Sequence, residues 1–240
     1  HRVDRRQRQM CIRDRLIEDA IAKRELVMDQ QLITVLGDVL SDQSLDPAMV
    51  NLMLQLPSEA QLHEQAEIIQ VQAIHRAREF VRQSIASALQ AQLVSTHQRL
   101  TETQAYAPEA EQIGRRALRN CSLGYLMNIE GVGSELAWQQ FNDASNMTDK
   151  AAALSALVNC ETAQDYATQA LKTFEQDYAN ETLAMNLWLQ VQATCKLTKG
   201  LDRVKALMEH SAFNINNPNK ARSLLLSLIH ISEPTRLRRI

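Results

Sequence analysis

Apolar residues recur three and four positions apart along nearly the whole chain, and nowhere does apolar–polar alternation persist beyond four residues. A repeat near 3.6 places such residues on one stripe of a helix, whereas a strand needs a repeat of two, so the chain is expected to be all-α. Residues that interrupt helices are scarce, with 6 glycines and 5 prolines among 240 residues. That is too few for a turn-rich sandwich or a glycine-rich nucleotide-binding fold. The pattern resolves into about ten helices of unequal length, and no fixed internal period of about 33 to 47 residues is present. The expected architecture is therefore an irregular, superhelical stack of antiparallel helix pairs rather than a tetratricopeptide or ankyrin array.

Punctuation along the chain sets expected boundaries. Leu16 to Leu40 reads as one amphipathic helix weakened near its end by Gly37. Asp46 followed by Pro47 forms an N-cap with proline at the first helical position, Pro57 stops that segment, and Ser58 caps the next. Residues 71 to 103 read as one long helix, with Val71, Ile74, Phe80, Val81, Ile85, Leu89, Leu93 and Leu100 on a stripe. Pro108 opens a helix ending near Asn128, and Ser134, Thr148 and Thr162 are expected caps for the following three. Further helices carry Leu183 to Val191 and Asp202 to His210, and a last one begins at Pro218.

Charge is unevenly distributed. Residues 1–15 hold six arginines against two aspartates, and residues 228–240 hold three arginines against one glutamate. The middle therefore carries 17 basic against 25 acidic groups, a balance of −8. The strings RQMCIRDR (8–15) and SLIHISEPTR (227–236) resemble translated sequencing-adapter read-through. Residues 1–15 and 228–240 are accordingly set aside as artefactual, leaving 16–227 as native helical domain. An acidic middle is a poor match for nucleic acid. No window approaches about 18 consecutive apolar residues, and charges stand where a leader would need its apolar stretch, so no membrane partner and a cytoplasmic location are expected.

The chemistry-bearing residues are sparse. Cys11, Cys121, Cys160 and Cys195 lack the spacing of a metal knuckle or redox pair and read as small buried thiols. His63-Glu64-Gln65-Ala66-Glu67 nearly spells the zinc-helix motif, which needs imidazoles at i and i+4. Glu67 stands where the second imidazole belongs, so this segment reads as a solvated helix face. His75, His97 and His210 are isolated and expected at the surface or at helix ends, and Gly131-Val132-Gly133 lacks a preceding strand and reads as a loop. Trp138, Phe141, Tyr166, Phe174, Tyr178 and Trp188 fall at helical spacing and read as packing residues. By residues alone, no catalytic residue and no metal ligand is assigned.

Five segments, in order, carry a resemblance: LDPAMVNLMLQLPSE (45–59), AIHRAREFVRQSIA (73–86), RRALRNCSLGYL (115–126), FNDASNMTDKAAALSALV (141–158) and NINNPNKARSL (214–224). They resemble the C-terminal helical domain of the bacterial aminopeptidase N family, zinc metallopeptidases that release N-terminal residues from peptides. The resemblance implies a curved stack of helix pairs that closes the substrate cavity over the zinc site of a separate catalytic domain. The family's zinc helix and its Gly-Ala-Met-Glu-Asn strand are not found in this sequence. It also implies a piece of a longer chain, inactive by itself, with zinc in the parent enzyme, none in this piece, and the catalytic domain and peptide substrates as partners. Arg222 falls where the family places an arginine near the substrate cavity, on a helix capped by Asn217 and Pro218; a surface arginine on a first helical turn is the alternative. Apolar faces at Met53 to Leu56 and Leu224 to Leu226 are expected to be uncovered in such a piece. A stand-alone helical-repeat binding scaffold is the competing functional expectation.

Overall fold

The computed structural model describes residues 15–64, 69–101, 105–197 and 200–226. Most of the two basic ends, and Glu67 of the near-zinc motif, lie outside the described residues. Among those described, thirteen α-helices and no strand are found. They divide into two compact units, His1–Ile129 and Glu130–Ile240.

The first unit begins with α1 (15–21), α2 (Gln30–Ser41), α3 (Pro47–Leu54) and α4 (Glu59–Glu64), and continues with α5 (Val71–Ala88), α6 (Gln90–Arg99) and α7 (Ala110–Leu126). α7 is its centre, with α3, α5 and α6 packed against it. Leu54, Ile85, Leu93, Leu123 and Leu126 are fully buried there, and Leu16 and Ala20 of α1 pack on Ala73 and Ala77 of α5. The Asp46 cap forms as expected: its Oδ1 accepts from Ala48 N at 2.8 Å and Met49 N at 3.1 Å, with Pro47 opening α3. Ser58 and Gln61 make a reciprocal capping box, Ser58 N donating to Gln61 Oε1 at 2.9 Å and Gln61 N to Ser58 Oγ at 3.2 Å.

Two expected long helices are each broken. Leu16 to Leu40 splits into α1 and α2, because Lys23 turns to a φ of 56° and Asp29 caps α2 by accepting from Gln31 N at 2.8 Å. An Asp19–Arg24 ion pair of 2.8 Å sits at this turn, and Gly37 lies buried inside α2 rather than at its end. The stretch from 71 divides at Leu89, whose φ of −112° and ψ of 21° leave the helical region. Leu89 is itself buried, so the apolar stripe runs through the break unchanged.

The second unit is a serial stack of α8 (Val132–Asp143), α9 (Met147–Val158), α10 (Gln164–Tyr178), α11 (Thr182–Ala193) and α12 (Gly200–Met208). It closes with α13 (Pro218–Ala221) and a π-helical turn, Arg222–Leu226, both packed on α11. Each helix from α8 to α12 packs on the next, and the short connections reverse the direction of successive helices. Phe141, Leu154, Leu157, Phe174 and Leu189 fill the core. The expected caps here are displaced. Gly131, at φ 78°, precedes α8 where a side chain would be strained, and Ser134 lies inside the helix. Asn146, not Thr148, caps α9 by accepting from Asp149 N at 2.9 Å, and Thr162 falls in a 3-10 turn, Glu161–Ala163. Of the apolar faces expected to be bare, Leu54 and Leu224 are buried and Met53, Leu56 and Leu225 are half-buried, while the Leu226 side chain lies outside what is described. The exposed large apolar side chains include Met49, Leu52, Ile113 and Leu183.

Candidate functional site

Arg222 sits where α13 passes into the wider π turn. Asn217 Oδ1 accepts from Asn219 N at 3.0 Å and Lys220 N at 3.3 Å, which starts α13, and Pro218 occupies its first position. Leu224 is buried and anchors the π turn, while Arg222 is exposed. A π turn widens the helix and is common at functional sites. The local sequence thus builds a capped, anchored turn that offers a guanidinium to solvent.

The segment leading into that turn is held by His210, which the sequence showed only as an isolated imidazole. Its Nδ1 accepts from Ala212 N at 3.1 Å, so the proton resides on Nε2, 3.1 Å from Glu175 Oε1 of α10. The ring lies 5.1 Å from Trp188 of α11, and Trp188 Nε1 donates to Leu171 O at 3.0 Å.

The first unit holds polar side chains among its helix ends. Arg82 Nη2 donates to Gly124 O at 2.7 Å, Arg78 Nε to Pro57 O at 3.0 Å, and the Tyr125 hydroxyl to Leu54 O at 2.5 Å. Burial pushes the Cys121 thiol beside them up to about 11, against the opposing Arg82 cation. The Tyr125 phenol is raised by burial too, with Cys121 as a second cause. Buried Arg116 donates to Gln112 Oε1 at 3.0 Å and to Ala107 O at 3.3 Å, and lies over Tyr106. Their partners are chiefly carbonyls at chain turns, which gives them a tying role. Nothing in the apolar spacing marks these arginines, because each looks like an ordinary charge on a helix.

The histidines do not converge. His75 Nδ1 meets Glu59 Oε1 at 2.9 Å, His63 is half-buried on α4, and His97 lies at a helix end as expected, buried in the last turn of α6. Among the described residues no three His, Cys, Asp or Glu side chains gather as a metal would require. The donors among the described residues do not gather into a zinc site. Among the described residues, too, no helix is long and apolar enough to cross a membrane. Trp138 stacks on Phe141 at 6.1 Å and on Tyr166 at 5.2 Å, as expected of packing residues.

A stack of unequal helix pairs without a metal cluster among its described residues defines a helical-repeat domain. The chain belongs to the ARM-repeat family described as a domain of unknown function, DUF3458_C, whose model matches residues 3–234. It is 35% identical over 202 residues to aminopeptidase N of Haemophilus influenzae, covering 83% of this chain and 23% of that protein. Aminopeptidase N of Escherichia coli is 35% identical over 189 residues, covering 78% and 21%. Among solved structures, the crystal structure of Legionella pneumophila aminopeptidase A in complex with aspartic acid matches with a TM-score of 0.80 and 29% identity. That match covers 91% of this chain and 26% of the other. The chain thus spans about a quarter of the relatives it matches, in their C-terminal part.

Proposed function

We propose that this chain is a non-catalytic C-terminal lid domain of a zinc-dependent aminopeptidase, closing the substrate cavity over a zinc site held by the rest of the parent enzyme. The observation that carries this reading is the match, across most of this chain, to one quarter of aminopeptidase N. Peptides are the substrates, the catalytic domain of the same chain is the partner, and the setting is the cytoplasm. Residues 16–227 form the native domain, and the basic strings at 1–15 and 228–240 are read-through; amplifying the gene from genomic DNA and finding the same strings encoded there would reject that division.

Arg222 is the substrate-contacting residue of the lid. Its exposure on an anchored π turn supports this, since a guanidinium fork suits a peptide carbonyl or terminal carboxylate. A charge-assisted hydrogen bond is worth about 1.5–3 kcal/mol, so Arg222→Ala in the complete enzyme is expected to lower kcat/KM about 10- to 100-fold for peptides that reach the lid. Steady-state kinetics over peptides of increasing length make the test, and unchanged kcat/KM at every length would refute the role.

A further inference from the structure

The chain between α12 and α13 is shaped by three side chains that each accept from the backbone two residues ahead. His210 Nδ1 takes Ala212 N at 3.1 Å, Asn214 Oδ1 takes Asn216 N at 2.9 Å, and Asn217 Oδ1 takes Asn219 N at 3.0 Å. Backbone bonds reinforce the same turns, Phe213 N donating to His210 O at 2.9 Å and Asn217 N to Asn214 O at 3.0 Å. The asparagines are ordinary residues for this task. The imidazole is the only one of the three acceptors that a proton can remove, and histidine changes charge between about pH 5 and 8.

What surrounds His210 fixes how it would respond. Glu175 of α10 is the charged group facing the ring, at 3.1 Å from Nε2. α11 meets the ring with Trp188 and carries no titratable residue over Thr182–Ala193. Glu209 precedes it in the chain. A proton added to Nδ1 keeps the Nε2–H contact with Glu175 and makes it an ion pair. The same proton occupies the lone pair that Ala212 N–H uses, leaving two donors face to face.

We propose that His210 is a positioning residue for Arg222: in its neutral Nε2–H form it locks the turn that leads into α13, and protonation at Nδ1 releases that turn while leaving the side chain tethered to Glu175. The link to substrate rests on the role given to Arg222 above. It places the pH response of substrate binding in the lid, with peptide KM rising when a proton on Nδ1 displaces the Ala212 N–H.

The test is amide hydrogen exchange on the full chain from about pH 8 to about pH 5, corrected for intrinsic exchange, with buried amides of α9 as a folding control. In the wild type, protection of Ala212 is expected to fall by up to about tenfold toward the acid end. His210→Asn keeps an acceptor in the Nδ1 position and should hold Ala212 protected at both ends of the range. His210→Gln keeps only the donor to Glu175 and should leave Ala212 unprotected throughout. Wild-type protection independent of pH, or a His210→Gln chain as protected as wild type, overturns the lock. In the complete enzyme, His210→Gln should raise peptide KM with kcat unchanged and His210→Asn should restore it. Exchange that behaves as expected with an unmoved KM overturns the link to Arg222 and leaves the lock standing.

Discussion

Cys121 and Tyr125 lie one helical turn apart on α7, and folding half-buries the thiol and buries the phenol. The thiol rises from its ordinary 9.0 to about 11, so at pH 8 only about one part in a thousand is thiolate. Iodoacetamide should therefore alkylate Cys121 about 100-fold more slowly in the folded chain than in urea, read by mass spectrometry. Labelling at the unfolded rate would show the site to be wet. The same burial sets a pH dependence. The folded value lies above the unfolded one, so the favourable contribution is complete below about pH 9 and is lost as pH rises through about 11. The urea midpoint should fall across that window, and Cys121→Ala should reduce the fall without abolishing it, since Tyr125 shifts in the same direction.

Between elements, a missing side chain lets α7 approach α3 closely. A Cβ on Gly114 of α7 would come within 3.0 Å of Ala48 N and 3.1 Å of Ala48 Cβ on α3. The obstruction includes backbone, so α3 cannot yield by a rotamer change. Gly114→Ala gains about 1 kcal/mol of helix propensity and meets an overpacking cost of about 1–3 kcal/mol. A net loss is expected, seen as a lower urea midpoint by circular dichroism; a raised midpoint would mean that the helices separate freely. Asp46→Ala tests the cap at that same N-terminal end of α3, where the loss of two accepted N–H bonds should cost about 1 kcal/mol and lower the urea midpoint.

For the molecule as a whole, the exposed apolar side chains decide its behaviour in solution. Met49 and Leu52 of α3 and Ile113 of α7 are exposed in the first unit, and Leu183 of α11 is 84% exposed in the second. Such groups left in water favour association. The isolated chain is expected to grow in apparent mass with concentration, and Leu52→Lys and Leu183→Lys should reduce that growth in static light scattering. A monodisperse monomer at every concentration, with one cooperative thermal transition, would contradict this.

The sequence by itself determined that the chain is helical and stacked in unequal pairs, because a 3.6-residue repeat and scarce glycine and proline admit little else. It also placed Asp46, Ser58 and Asn217 as caps, since capping is a contact between near neighbours in the chain. The NNPNKARSL string, through its family resemblance, singled out Arg222 as well. Tertiary structure alone decided where the long helices break. Leu89 is apolar whether it continues a helix or plugs the core at a bend, so periodicity cannot tell the two apart. It alone also brought Glu175, Trp188 and Ala212 around His210. Those partners come from two other helices and the next turn, and a contact between residues up to 35 positions apart leaves no trace in local spacing. Spacing reports the face on which a residue lies, and only packing reports what that face meets.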